Sequence, residues 1–294
     1  MQQRHSGFFL AILAATGFAS KAIFAKLAYG YGVDAITLVT IRLGLAIPLL
    51  GLLRIIKSSN ERTMTRQEMG WVCLLGFLGY YLSSLLDFWG LESVSASIER
   101  MLLCLYPTLT VLFSAWFYGS TISRITIRAL LLTYLGIALV LAPGLAHGNA
   151  DLIGILLIIG STVSYALYLT WSPSVITKIG AMRFTESALL ISAFIMICHY
   201  LAVKPLGEIL VQPREVWGYG LAMTILSTLL PVYALSAAIQ RIGSSKTAII
   251  ATLGPVLTII MSMHLLDDML TPMQWVGVLL VMVGVWQVNR RRKQ

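Results

Sequence analysis

Apolar runs of roughly twenty residues follow one another along almost the whole chain, separated only by short polar punctuation. A bilayer core about 30 Å thick takes roughly 20 apolar residues per helical span. No water is available there to satisfy backbone N–H and C=O groups, so such runs are expected to fold as helices packed on helices. Only 11% of the 294 residues are charged and 58% are hydrophobic, against roughly a quarter charged in a soluble domain. The longest polar stretch, residues 57–67, is too short to bury a core of its own and reads as a loop.

Reading the runs between Gly, Pro and charged residues gives ten candidate spans. They are residues 7–29, 35–56, 69–90, 97–119 and 125–142, then 152–171, 184–203, 216–239, 247–266 and 273–288. The first continues too far, without a small-residue cleavage site, to read as a signal peptide. Cys73, Cys104 and Cys198 lie inside apolar runs at unrelated spacing, which indicates packing residues rather than disulfides or a metal cluster.

A net charge of +9 raises the question of nucleic acid, and the placement of the charges answers it differently. With the amino terminus in the cytoplasm, 15 of the 21 Lys and Arg residues fall in loops on that side, and only Lys204 and Arg214 in loops on the other. This is the positive-inside pattern, and it predicts that both termini are cytoplasmic.

Sliding the chain against itself by 148 positions lays Leu105 on Leu253, Pro107 on Pro255, Thr110 on Thr258, Ser114 on Ser262 and Gly136 on Gly284. A shift of 147 lays Phe18 on Tyr165 and Ala19 on Ala166. Two halves, residues 1–147 and 148–294, follow. Each holds five spans, an odd number, so the second enters the membrane from the opposite side. The expected fold is all-α, with ten transmembrane helices as two inverted five-helix repeats, an arrangement used by secondary transporters.

The aromatic-small pairs Phe18-Ala19 and Tyr165-Ala166, the segments Leu105-Tyr106-Pro107 and Leu253-Gly254-Pro255, and Gly136 with Gly284 resemble the drug/metabolite transporter superfamily, specifically its EamA-type exporters. The resemblance covers essentially the whole chain. Length, layout and aromatic-rich spans look most like the YddG-type exporters of aromatic and other amino acids. It implies an inner-membrane exporter of amino acids or related small metabolites, other drugs or metabolites being the alternative. The central cavity would then lie among the first four helices of each half.

Several residues carry candidate transport roles. Pro107 and Pro255 each remove an N–H inside a span and read as paired hinges. Helical spacing aligns Tyr80, Ser84 and Asp87 on the third span, Glu99, Leu103, Tyr106 and Thr110 on the fourth, and Ser161, Tyr165, Tyr168 and Trp171 on the sixth. These faces are expected to line a polar-aromatic cavity, with Trp171 equally well read as an interface anchor. Intramembrane charge costs roughly 2.5–3.5 kcal/mol at a span centre, so Lys21, Lys26, Arg42, Asp87, Glu99 and Arg100 each need a reason. Lys26 is expected to snorkel, and Arg42 to snorkel or pair with an acid. Asp87, Glu99, Arg100 and Lys21 are candidates for a headgroup site or a gate, with wetted helix ends as the plainer reading. His199 and His264 stand apart from metal-ligand neighbours, and Asp267-Asp268 reads as a solvated turn. No metal or other cofactor is expected.

A membrane-embedded enzyme is the rival from another class. It would need convergent nucleophiles or a metal site, and there is no HExxH, GxSxG or phosphate-cradling glycine loop. The partners expected are a small solute and lipid, not nucleic acid. Gly277 and Gly284 could face either a second molecule or a helix of the same chain.

Overall fold

The computed structural model describes residues 2–57, 64–146 and 151–291, and these are helical throughout, without a strand. Most of the polar loop at 57–67, and Arg62, Arg292 and Lys293 from the sidedness pattern, lie outside the described residues. The first half runs α1 (Gln2–Tyr29), α2 (Ala35–Lys57), α3 (Arg66–Gly76), a π-helical turn (Phe77–Leu82), α4 (Ser83–Ser93), α5 (Ala96–Leu103), α6 (Tyr106–Tyr118) and α7 (Arg124–Ala146). The second runs α8 (Leu152–Ile179), α9 (Ala181–Val203), a single turn α10 (Leu206–Leu210), α11 (Arg214–Thr224), a second π turn (Ile225–Leu229), α12 (Leu230–Ala251), α13 (Gly254–Leu265) and α14 (Pro272–Arg291). Among the described residues, eight continuous helical stretches are long and apolar enough to cross a membrane, and two shorter apolar helices complete the ten spans. The ninth span is made of two pieces. Its first turns are continuous with the eighth through Gly243, whose φ of 81° lies in the left-handed region that glycine tolerates.

The interruptions recur at one spacing. The π turns begin at Phe77 and Ile225, 148 residues apart, and the proline breaks fall before Pro107 and Pro255, also 148 apart. A proline ring clashes with the carbonyl four residues back. For Pro107 that carbonyl belongs to Leu103, where α5 ends, and for Pro255 to Ala251, where α12 ends. The prolines thus break the helices rather than merely bending them. Tighter i to i−3 bonds bridge the gap, from the N–H of Leu105 to the Leu102 carbonyl and from that of Leu253 to the Ile250 carbonyl, both 3.0 Å.

Each π turn is dressed by hydroxyls from neighbouring helices. Ser164 donates to the Leu78 carbonyl and Ser161 to that of Ser83, each at 2.7 Å, and Ser192 to that of Gly76 at 2.8 Å. At the second turn, Ser227 bonds Ser20 of α1 at 2.9 Å. Serine at the first turn serves the backbone, because carbonyls loosened inside an apolar bundle need a donor from elsewhere. Ser161, expected on the cavity stripe, is therefore a seam residue.

Packing is mostly between the halves: α1 against α12, α4 against α8, α2 against α9 and α7 against α14. The last pair meets on glycine. A Cβ at Gly136 would stand 2.6 Å from the Gly277 carbonyl oxygen, and one at Gly277 as close to that of Gly136. Gly284 faces Ala129 and Thr133 of α7 in the same way. Both Gly277 and Gly284 are thus used inside the chain. Cys104 is buried, whereas Cys73 and Cys198 are exposed, so only the first packs as expected.

At the end of the bundle that carries Tyr29 and Val203, polar groups tie the helix ends. Asp34 accepts from the Thr37 N–H at 3.1 Å, capping α2, and from Lys204 at 2.6 Å, just past the end of α9. Glu92 accepts from the Ala35 N–H at 2.6 Å. Asp268 accepts from the Ser97 N–H at 3.1 Å and from Ser262 at 2.8 Å, so this acid fastens α5 to the end of α13 instead of merely solvating its turn. Partial burial works against ionisation of Asp34, but the Lys204 ammonium and the Thr37 bonds outweigh it and hold its pKa below the usual 3.8.

Gly136→Ala and Gly277→Ala are each expected to cost about 1–3 kcal/mol of thermal stability in detergent, because the new methyl meets backbone that cannot move aside. Gly44→Ala, with nothing within 4 Å, is expected to be neutral or to gain up to about 1 kcal/mol, so equal effects at the three sites would contradict this packing. Asp34→Ala is expected to lose about 1 kcal/mol near neutral pH, mostly from the cap, since the half-exposed ion pair adds little. Because the folded-state pKa is depressed, that contribution is present above the unfolded value and lost as pH falls through the folded one. Melting curves of wild type and variant should therefore converge in acid.

Candidate functional site

Three of the charged residues inside the spans meet in the half of the bundle nearer the end that carries Tyr29 and Val203. Lys21 on α1 forms an ion pair with Asp87 on α4, and its Nζ lies 3.1 Å from Glu99 Oε1 on α5. Glu99 is 0% and Asp87 2% exposed, so one ammonium holds two acids away from solvent. Asp87 Oδ1 and Glu99 Oε2 have no hydrogen-bond partner, and Glu99 Oε1 meets Lys21 by charge contact alone, without hydrogen-bond geometry. A buried ion pair survives desolvation only with close geometry, and removing one partner strands the other.

Arg42 on α2 neither snorkels nor forms an ion pair with an acid. It begins seven residues into its helix, about 10 Å along the axis, too deep for its head to reach water. It is 8% exposed. Its Nε and Nη2 donate to Thr228 Oγ1 at 3.3 and 3.0 Å, and its guanidinium lies 5.4 Å from the centre of the Phe88 ring, a cation–π contact that Lys21 shares from 5.8 Å. Thr228 belongs to the second π turn and donates in turn to the Met223 carbonyl. Arg42 and Phe88 were not expected here. The signal available in the sequence was depth, since a cation two turns inside an apolar run must find partners within the bundle.

Arg100, grouped with the acids by sequence, follows Glu99 by one residue and so points to another side of α5. Its Nη2 occupies the space beside Gly254 at the start of α13, 2.7 Å from where a Cβ would stand. Gly254 stands where the first half has Tyr106, and its missing side chain makes room for the guanidinium.

A layer of tyrosines adjoins the charged cluster. Tyr80, in the first π turn, shares a hydroxyl hydrogen bond of 3.2 Å with Tyr168 of α8, and their rings meet edge to face at 5.4 Å. Tyr168 stacks on Tyr165 at 5.4 Å, and Tyr165 meets the edge of Tyr106 at 5.5 Å, nearly perpendicular. Tyr106, 38% exposed, forms the open edge of the layer. Gly79 permits the contact, since any side chain there would run into the Tyr168 ring. Arg42 lies within electrostatic reach of both Asp87 and Tyr80.

Besides Ser161, three expected cavity residues lie elsewhere or are otherwise engaged. Thr110 is fully buried and donates to the Tyr106 carbonyl at 2.7 Å, spending its hydroxyl on its own helix. Trp171 packs with Trp71 and Phe117 at 6.5 and 5.1 Å near the helix ends, apart from the tyrosines. Ser84 is half-buried, one residue beyond the buried Ser83, because the π turn adds a residue and rotates the faces that follow. His199 accepts or donates at Tyr81 at 3.0 Å, and His264 bonds the Ile260 carbonyl at 2.8 Å. A small recess between α2, α9 and α12, lined by Leu50, Thr185, Glu186, Leu229 and Tyr233, adjoins the tyrosine layer at Thr185 rather than the charged cluster. Among the described residues, no three His, Cys, Asp or Glu side chains converge on a metal-sized site.

Broken helices around a buried charged centre are the architecture of a membrane carrier. The model of the EamA-like transporter family matches this chain twice, over residues 5–142 and 152–290, and the chain belongs to that family, within the drug/metabolite transporter superfamily. It is 29% identical over 283 residues to the uncharacterized transporter YcbK of Bacillus subtilis (strain 168), covering 94% of this chain and 90% of that one. It is 24% identical to the uncharacterized transporter YyaM of the same organism, over 83% and 81% of the two chains. A solved crystal structure superposes with a TM-score of 0.68 over 99% of both chains at 16% identity, a likeness of fold. The protein is a multi-pass membrane transporter of a small molecule.

Lys21→Met leaves two carboxylates buried without their cation and is expected to lose about 3–5 kcal/mol of thermal stability. Adding Asp87→Asn and Glu99→Gln to it should restore most of that loss. A Lys21→Met protein as stable as wild type in detergent melting would show that the triad is not an ion-paired unit.

Proposed function

We propose that this transporter is a secondary carrier that exports amino acids, aromatic ones among them, by alternating access across a cell's inner membrane. The observation that supports this most directly is the adjacency of buried charges of both signs to a tyrosine layer. A zwitterion needs a partner for each charge, and an aromatic side chain is well covered by rings that keep their hydroxyls bonded.

Residues 1–147 and 148–294 act as two inverted repeats, rocking about the centre. Support comes from the twofold family match and from interruptions repeated at one spacing, which give each half the same points of weakness. Pro107 and Pro255 serve as hinges, because the short 3₁₀ links beside them have the fewest bonds to break. Lys21, Asp87 and Glu99 form the headgroup site or its gate, and Tyr80, Tyr106, Tyr165 and Tyr168 cover the substrate's body. Both termini face the cytoplasm, as the Lys and Arg placement favours. No enzymatic step is assigned.

Purified protein in proteoliposomes should give saturable, trans-stimulated flux of a labelled aromatic amino acid. Asp87→Asn, Glu99→Gln and Tyr80→Ala should each reduce it by roughly tenfold or more, in keeping with one lost charged or aromatic contact. Unchanged flux and affinity in both acid variants would remove the charged cluster from the site.

A further inference from the structure

The three cations at the centre are not equally available. Lys21 is committed to Asp87 and Glu99, and the Arg100 guanidinium is turned toward the start of α13. Arg42 is held differently. Its Nε and one Nη2 hydrogen engage the single oxygen of Thr228 from the side, and Phe88 supports the plane of the guanidinium. That leaves Nη1, which has no partner although it is buried, together with the second Nη2 hydrogen beside it. Those two N–H groups form the end-on fork of a guanidinium, spaced to match the two oxygens of one carboxylate. Thr228 and Phe88 fix the direction of the fork, so little side-chain entropy remains to be lost on binding.

The acid that would otherwise fill this fork faces elsewhere. Asp87 pairs with Lys21 through Oδ2, and its Oδ1, within electrostatic reach of Arg42, has no hydrogen-bond partner. A buried donor without an acceptor and a buried acceptor without a donor, on facing helices, both carry a penalty that a ligand bearing the complementary groups would relieve.

We infer that Arg42 is the carboxylate anchor of the transported molecule, presented by Thr228 of the second π turn, with Asp87 Oδ1 facing the substrate's ammonium. This rests on the amino-acid reading above for its substrate class and adds the residue that selects for a free carboxylate. It also gives the second π turn a task. The extra residue there brings Thr228 Oγ1 onto the Met223 carbonyl five residues back, where it meets Arg42. A shift of that turn between transport states would withdraw the support of the fork and loosen its grip on the carboxylate.

The test compares L-phenylalanine, L-phenylalaninamide and 3-phenylpropionate by ligand-dependent thermal stabilisation of the purified full chain in detergent. Wild type should bind L-phenylalanine roughly 10- to 100-fold more tightly than the amide, which lacks the carboxylate, and also more tightly than 3-phenylpropionate, which lacks the ammonium that Asp87 would meet. Arg42→Met should abolish that preference while leaving affinity for the amide within a few-fold, and Arg42→Lys, which keeps the charge and loses the fork, should fall between. Equal affinity of wild type for acid and amide, a preference that survives in Arg42→Met, or no stabilisation by any of the three would overturn the assignment. Binding of 3-phenylpropionate but not of phenylalanine, lost in Arg42→Met, would uphold the anchor and reject the amino-acid reading.

Discussion

Every other feature of this bundle depends on the need to satisfy backbone polar groups without water. Unbroken helices meet that need alone, yet the chain departs from them at four places, two π turns and two proline breaks. Each departure is sustained by something specific. Ser161, Ser164 and Ser192 supply hydroxyls to the first π turn and its flanks, and short 3₁₀ bonds bridge the breaks before Pro107 and Pro255. Several of the candidate site residues are mounted on this irregular backbone. Tyr80 sits in one π turn, Thr228 in the other, and Glu99 and Tyr106 flank one of the breaks.

The two halves share this backbone plan and differ in what they hang on it. Lys21 and Tyr168 occupy corresponding places at a shift of 147, and Tyr80 and Thr228 at a shift of 148. One member of the first pair gathers carboxylates and the other gathers rings. In the second pair, Tyr80 joins the ring layer and Thr228 holds Arg42. A repeated frame with unlike side chains yields a centre that is charged on one side and aromatic on the other. The packing that holds the frame is correspondingly plain, as in the glycine seam of α7 and α14, which lets two backbones approach without any side chain between them.

Much of the centre was legible before any coordinates. Asp87 and Glu99 stood out because ionised groups are expensive in hydrocarbon, and Tyr80, Tyr106, Tyr165 and Tyr168 stood out by helical spacing. The differences have separate physical causes. A uniform period of 3.6 residues places Ser84 on one face with Tyr80, but the π turn inserts a residue into that count; Trp171, three residues beyond Tyr168 on α8, packs instead with Trp71 and Phe117. Arg100 was grouped with Glu99 through adjacency in the chain, whereas neighbouring residues on a helix point about 100° apart. Arg42, expected to snorkel or to pair with an acid, meets Thr228 and Phe88 instead, because its partners lie on other helices and no spacing along α2 points to them.

Apolar run length, proline placement and the recurrence of both at one interval determined by themselves that the chain crosses a membrane as ten helical segments in two similar halves. These are local or periodic properties, and hydrocarbon leaves the backbone few alternatives. Only the tertiary structure decided which buried charges meet. Lys21 with Asp87 and Glu99, and Arg42 with Thr228, 186 residues away, are joined by helix rotation and by register across the two halves. Rotation and register are set by the packing of glycines, serines and π turns against their neighbours, and no spacing along one helix encodes them.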